Sequence, residues 1–319
     1  MPGSQKAMSY PALEQPPVKA SPMAPRSTRF DPYTMWRRVL AYLLLVASGP
    51  VLAAAPSRVV TLAPHITELL FAAGAGHTLV GTVVSSNYPQ TVKALPKVGD
   101  GAASINMEAL ISLQPDVVLA WQPTGTVAAA TPLLESINIP ITLIAPEKMD
   151  DIPDSIEQLG TLLGTQAAAT LQASDMRQRL TTLRSKYGRA SPVSVYIEIG
   201  PAPLYAVGRD TLLNDALSTC GGINVFQDSR LPALPISPER VLQNAPRVIL
   251  IATTNLDQLH AAQTRWEGLG LGAATRTRIH GIDPDSLFRP GPRLIDATVA
   301  ICRYLDEARE TLGAAGIDN

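Results

Sequence analysis

A chain of 319 residues, 46 per cent of them hydrophobic, is long enough for two ordinary domains, each with an apolar core of its own. Its net charge of −1 hides an asymmetry: Met1 to Ala55 holds six Lys or Arg against two acids, a surplus of four that leaves Pro56 onward at about −5. That balance excludes the basic footprint of a nucleic-acid binder.

Residues 1–34 are rich in Pro and Ser, show no apolar period and are expected to be disordered. From Met35 the chain reads "MWRRVLAYLLLVASGPVLAAA": two arginines, a short apolar stretch and a small-residue end, the order of a secretory signal peptide. Residues 35–55 therefore read as a signal peptide cleaved near Ala53 to Ala55, and Met35 competes with Met1 as the start of translation. A membrane anchor is the competing reading, although Gly49 and Pro50 interrupt the apolar stretch. No Cys follows it, which argues against lipid attachment.

Export bears on Cys220 and Cys302. In an oxidising compartment an even pair reads as a disulfide, here closing 82 residues and contributing roughly 4 to 5 kcal/mol in the chain-entropy model. Two free buried thiols are the alternative. Neither Cys has CxxC spacing, and His65, His77, His260 and His280 lack close His or Cys partners, so the sequence supports no metal site.

From Pro56 strand and helix patterns alternate. "RVVTL" reads as a strand and "APHITELLFAAGAG" as a helix, with Thr67 and Glu68 suited to its N-terminus and Gly74 to its stop. "TLVGTV", "DVVLAW" and "IPITLIA" follow as strands, with helices "NMEALISL" and "TPLLESIN" between them, a parallel α/β unit over 56–150. The strand signal then vanishes. Over 151–188 apolar residues recur every three or four positions, which predicts a shorter helix running into a long one from about Gln166 to Tyr187, roughly 33 Å in length. Alternation resumes over 189–319 and ends in a helix from about Gly291 to Leu312.

Two segments repeat one pattern. "EALISLQPDVVLAW" begins at Glu108 and "ERVLQNAPRVILIA" at Glu239, each a short helix, a proline stop and a continuous apolar strand. Two similar lobes would produce such a pair, and so would chance. Motifs for catalysis are missing: there is no G-x-S-x-G, H-E-x-x-H or P-loop, and "GLGLGA" at Gly268 follows Trp266 and Glu267 instead of a strand. An enzyme is not expected.

Taken in order, "RVVTLAPHITELLFAAGAG", "SNYP", "NMEALISLQPDVVLAW", "CGGINVFQDSRLP", "SPERVLQNAPRVILI" and "FRPGPR" resemble the periplasmic substrate-binding proteins with a helical backbone. Those proteins feed ABC importers of vitamin B12, siderophores and haem, and the likeness is strongest to the cobalamin-binding members. It covers about Ser57 to Leu312. It implies two parallel-sheet α/β lobes joined by one long rigid helix, with the ligand in the cleft between them and each repeated strand delivering its following loop to that cleft. It further implies a periplasmic monomer without a cofactor, whose cargo is a corrinoid and whose partner is an ABC permease. Haem or a ferric siderophore is the alternative cargo.

Carried over position by position, the resemblance makes Trp121 a wall of the ligand pocket, with a core Trp as the other reading. Asp285 and Arg289 match an Asp and an Arg bordering that pocket, against solvated loop charges. His65 sits where it would face the cleft, or cap and pack. Tyr88 in "SNYP", with Tyr196 and Tyr205, would compensate for aromatics absent at Ser85, Leu143, Ile199 and Ala233, or serve only as turn and strand packing. Glu239 matches the second-lobe position that docks on permease arginines. The first-lobe position has no acid, and the nearest substitutes, Glu108 and Glu135, read equally well as solvated helix charges.

Overall fold

Val117 and Leu119 enter one apolar core while Val118 and Ala120, on the same short strand, enter another. That two-sided burial is why the run is continuously apolar. The computed structural model describes residues 54–101, 103–123, 125–271 and 278–315. The expected disordered extension and all but Ala54 and Ala55 of the expected signal peptide lie outside them.

The first sheet is wholly parallel. Its strands are β1 (Val59–Thr61), β2 (Leu79–Gly81), β3 (Val117–Ala120) and β4 (Ile141–Leu143), in the order β2-β1-β3-β4. Helices α1 (Pro64–Ala72), α2 (Met107–Ser112) and α3 (Thr126–Ser136) connect them. Two boundaries differ from the sequence reading. α1 starts at Pro64, because proline fits the first helical turn, so Thr67 and Glu68 fall inside it and are buried. α3 starts five residues before "TPLLESIN" and carries Pro132 inside.

Next come α4 (Asp151–Leu163) and α5 (Gln166–Tyr187). Gly164, left-handed at φ 74°, ends α4 and sets the break expected between them. Gly160 is required by proximity: a Cβ there would stand 2.3 Å from that of Ala169. Ala169, Ala173, Met176 and Leu180 form the buried face of α5, and the 22-residue helix is as long as the sequence predicts.

The second sheet is mixed. β10 (Ile279–Ile282), β9 (Val248–Ala252) and β5 (Val193–Pro201) run parallel, β7 (Gly222–Asn224) also pairs parallel with β5, and β6 (Leu204–Val207) and β8 (Ala233–Pro235) add antiparallel. Its helices are α6 (Thr211–Thr219), α7 (Pro238–Asn244), α8 (Leu256–Gly268), α9 (Pro284–Leu287) and α10 (Pro292–Ala315). The fold is thus α/β, two sheets with a helical stretch between them in sequence. Cys220, after α6, is bonded to Cys302 of α10.

The two copies agree beyond their sequence pattern. Gln114 and Ala245, each just before the proline, both adopt left-handed backbone, at φ 46° and 43°. A residue preceding proline is disfavoured in the right-handed helix, so each helix closes there. In β9, as in β3, alternate residues serve two cores: Val248 and Leu250 one, Ile249 and Ile251 another. The core reached by Val117, Leu119, Val248 and Leu250 is a single one, to which α1, α4, α5, α6 and α10 all contribute.

Candidate functional site

Trp121 follows β3 directly and remains 41% exposed, an unusual position for so large an apolar ring. It lines two adjoining cavities. The larger, about 480 Å³, is bounded by Trp121 and Ala145–Glu147 of the first lobe, by Ile199, Arg209 and Ala233 of the second, and by Leu287 and Phe288. The smaller, about 410 Å³, opens beside the start of α1 at Ala63–His65, with Ser85, Val127 and Arg289. Gln122, Phe288 and Pro290 join Trp121 in lining both.

His65 is 3% exposed and meets Trp121 edge-to-face, with ring centroids 5.0 Å apart. Burial first, and the nearby positive charge of Arg289 second, push its pKa from 6.5 down to about 3. The imidazole is therefore neutral at ordinary pH, and its Nε2 is buried without a hydrogen-bond partner among the described residues.

Beneath this wall four hydroxyls form a knot. Thr61 Oγ1 lies 2.7 Å from Thr67 Oγ1 and 2.8 Å from Thr82 Oγ1, and Thr82 Oγ1 donates to Ser86 Oγ at 2.8 Å. All four side chains are buried, so each hydroxyl depends on the others. The knot ties β1 and α1 to the loop carrying Ser85 and Asn87. That loop meets the segment before α10: Asn87 Nδ2 donates to Asp285 Oδ2 at 2.7 Å, and Arg289 Nη1 donates to Asn87 Oδ1 at 2.7 Å.

Of the residues expected at the site, Trp121, His65 and Arg289 line the cavities, while Asp285 contacts Arg289 and Asn87 from outside the lining. Tyr88 is 50% exposed and lies outside both linings, its ring 4.7 Å from the Arg293 guanidinium. Tyr196 is a core residue, fully buried against Phe226 and Trp266, and Tyr205 sits in β6 outside the lining. Ser85, Ile199 and Ala233 do line the cavities, so three of the four positions that lack aromatics face the cleft, whereas Leu143 does not. Phe288, whose role nothing in "FRPGPR" signals, borders both cavities beside Trp121 and restores part of the aromatic wall.

The second copy departs from expectation. The residues after β9, Thr253–Leu256, line a third cavity of about 530 Å³ with His280 and Tyr304, which shares no lining residue with the two around Trp121. β5, next to β9 in the sheet, supplies Ile199 to the cleft instead. Glu239 is exposed in the first turn of α7, where hydrogen bonds from Ser237 and from its own backbone N–H hold its carboxyl below the usual range. Glu108 and Glu135 are exposed on α2 and α3. Among the described residues no three His, Cys, Asp or Glu side chains are grouped to hold a metal ion, and no helix is long and apolar enough to cross a membrane.

Two α/β lobes that face each other across an aromatic-walled cleft define a solute-binding architecture. The chain belongs to the periplasmic binding protein family, whose sequence model matches residues 59–269. It is 33% identical over 261 residues to the vitamin B12-binding protein of Pectobacterium atrosepticum, covering 80% of this chain and 91% of that one. It is 31% identical over 253 residues to the vitamin B12-binding protein of Vibrio cholerae, covering 79% and 90%. Among solved structures, the periplasmic vitamin B12 binding protein BtuF of Vibrio cholerae superposes with a TM-score of 0.72 at 30% identity, over 81% of this chain and 99% of that one. The periplasmic heme-binding protein RhuT of Roseiflexus sp. RS-1 superposes at 0.66 and 25% identity, over 80% and 99%.

Proposed function

We propose that the protein captures cobalamin or a related corrinoid in the cleft around Trp121 and hands it to the permease of an ABC importer. The observation that carries this reading is the half-exposed Trp121, standing with Phe288 at the junction of two cavities. A corrin is a broad apolar plate with polar amide edges, and flat rings cover such a face well. Arg209 lines the larger cavity, and its guanidinium has no partner among the described residues, so its donors are open to a polar ligand edge. The kinship to vitamin B12-binding proteins over most of their length supports the same reading.

On this reading the protein works in the periplasm as a monomer, binds without turnover and uses no cofactor. The chain divides into an extension 1–34, a signal peptide 35–55, a first lobe 56–150, a linking helix 151–188 and a second lobe 189–319. Ligand contacts come from Trp121, His65, Arg289 and their neighbours, while Glu239 docks on the permease. Equilibrium dialysis against cobalamin, with the absorbance spectrum of protein purified from cells supplied with cobalamin, haem or a ferric siderophore, tests the proposal. Stoichiometric uptake of unaltered corrinoid is expected. Haem or siderophore carried in its place overturns the cargo, and a chemically altered corrinoid overturns the binding role.

A further inference from the structure

Glu68 faces inward from α1 with only 2% of its side chain exposed, and it lines neither cavity. Its carboxylate accepts from Arg293 Nε at 2.9 Å and Nη2 at 2.7 Å, and from Arg289 Nη1 at 3.1 Å. Arg289 lies in the segment between β10 and α10, and Arg293 in the first turn of α10. One buried anion of the first lobe therefore holds two cations that arrive with the second.

Arg289 is engaged further. Nη1 also donates to Asn87 Oδ1, and Nη2 reaches the Ser85 carbonyl at 3.2 Å and Asp285 Oδ1 at 2.7 Å. A guanidinium has five N–H donors, and these contacts engage the four on the Nη atoms. Four of the five donors of Arg289 are thus held by Glu68, Asn87, Ser85 and Asp285, and only Nε remains for a ligand in the cavity it lines. Burying a carboxylate this deeply is costly unless it is paired. Lobes that slid apart would strip Glu68 of both partners at once.

We propose that Glu68 is a positioning residue: through Arg289 and Arg293 it fixes the gap between the lobes, and with it the width of the cleft between Trp121 and Ile199. The role holds whatever cargo fills the cleft. It is tested by placing nitroxide labels on Leu133→Cys of α3 and Leu231→Cys, exposed positions in opposite lobes. The native cysteines are bonded to each other and take no label. Pulsed dipolar spectroscopy of the full chain without ligand then reads the inter-lobe distance.

One narrow distance is expected in the parent, a distribution at least twofold broader with Glu68→Gln, and partial return with Glu68→Asp. Cobalamin affinity should fall about tenfold in Glu68→Gln, mainly through faster release. A folded Glu68→Gln protein with an unchanged distribution overturns the proposal. If Glu68→Gln does not fold, Arg293→Gln decides: it removes the two shortest bonds to Glu68 while leaving Arg289 in place, and an unchanged distribution there overturns the proposal too. A parent that ignores cobalamin but responds in the distance measurement strikes the corrinoid reading and sustains this one.

Discussion

His65 stands edge-on to Trp121, their planes at 81°, so the most exposed aromatic of the cleft leans on a buried, uncharged imidazole. The contact holds the indole upright without adding charge to the wall. Trp121→Ala should remove about 2 to 4 kcal/mol of corrinoid binding, or ~30- to 1,000-fold in affinity. Thermal stability should change little, because the ring is already 41% in solvent. Calorimetry and a melting curve check both halves; an unfolded variant makes Trp121 a core residue.

The same imidazole makes stability depend on pH. An unfolded His65 takes up a proton near pH 6.5, whereas the folded one refuses it until about 3. The stability linked to this group is complete above pH 6.5 and is lost as pH falls from 6.5 toward 3, by about 1.4 kcal/mol per unit. His280, lowered to about 4 by burial and by Arg303, acts with the same sign between 6.5 and 4. The loss of unfolding free energy between pH 7 and pH 5, from urea titrations, should therefore be smaller in His65→Phe than in the parent, by about 2 kcal/mol.

Thr82→Val should destabilise the protein by about 1 kcal/mol, since it takes one partner from each of the buried hydroxyls of Thr61, Thr67 and Ser86, which keep only one another, while holding volume nearly constant. Denaturant titration gives the number. A neutral result means the remaining hydroxyls re-pair.

Glu239→Arg should leave cobalamin affinity untouched, because the side chain is exposed and lines neither cavity of the cleft. Import should fall, through repulsion at the permease. Uptake of labelled cobalamin by cells carrying the variant measures it, and unchanged uptake ends the docking assignment.

Reducing the Cys220 to Cys302 bond should lower stability by roughly 2 to 5 kcal/mol, in line with the loss of native disulfides from other exported domains. Denaturation with and without reductant tests this. Intact mass of exported protein gives the cleavage point, expected between Ala54 and Pro56.

Much of the fold is legible in the sequence because its signals are local. Val117 to Leu119 and Val248 to Ile251 announce strands covered on both faces, and Gly164 marks the break before the long helix. The antiparallel strands at Leu204–Val207 and Ala233–Pro235 are short and lie in Pro- and Gly-bearing segments that read as loop. Trp121 and His65 could be placed because each follows a recognisable strand. Glu68 could not: its partners lie 221 and 225 residues away, and alone it looks like a charge at a helix start. The ring of Tyr88 lies against Arg293, outside both linings, a contact that only the tertiary fold reveals.

One apolar core gathers Val59 and Leu119 from the first sheet, Met176 and Leu180 from the long helix, and Val195, Leu250 and Cys302 from the second half. Each half has a smaller core of its own, but neither closes this shared one by itself. A fragment ending at Tyr187 would expose to water those parts of α1, α4 and α5 that α6, α10 and the second sheet cover in the whole chain. Melting should accordingly be a single cooperative event, and a lesion in either half should be felt across the whole molecule. The cleft is thus borne by one thermodynamic body, in which the ligand's two walls survive or fail together.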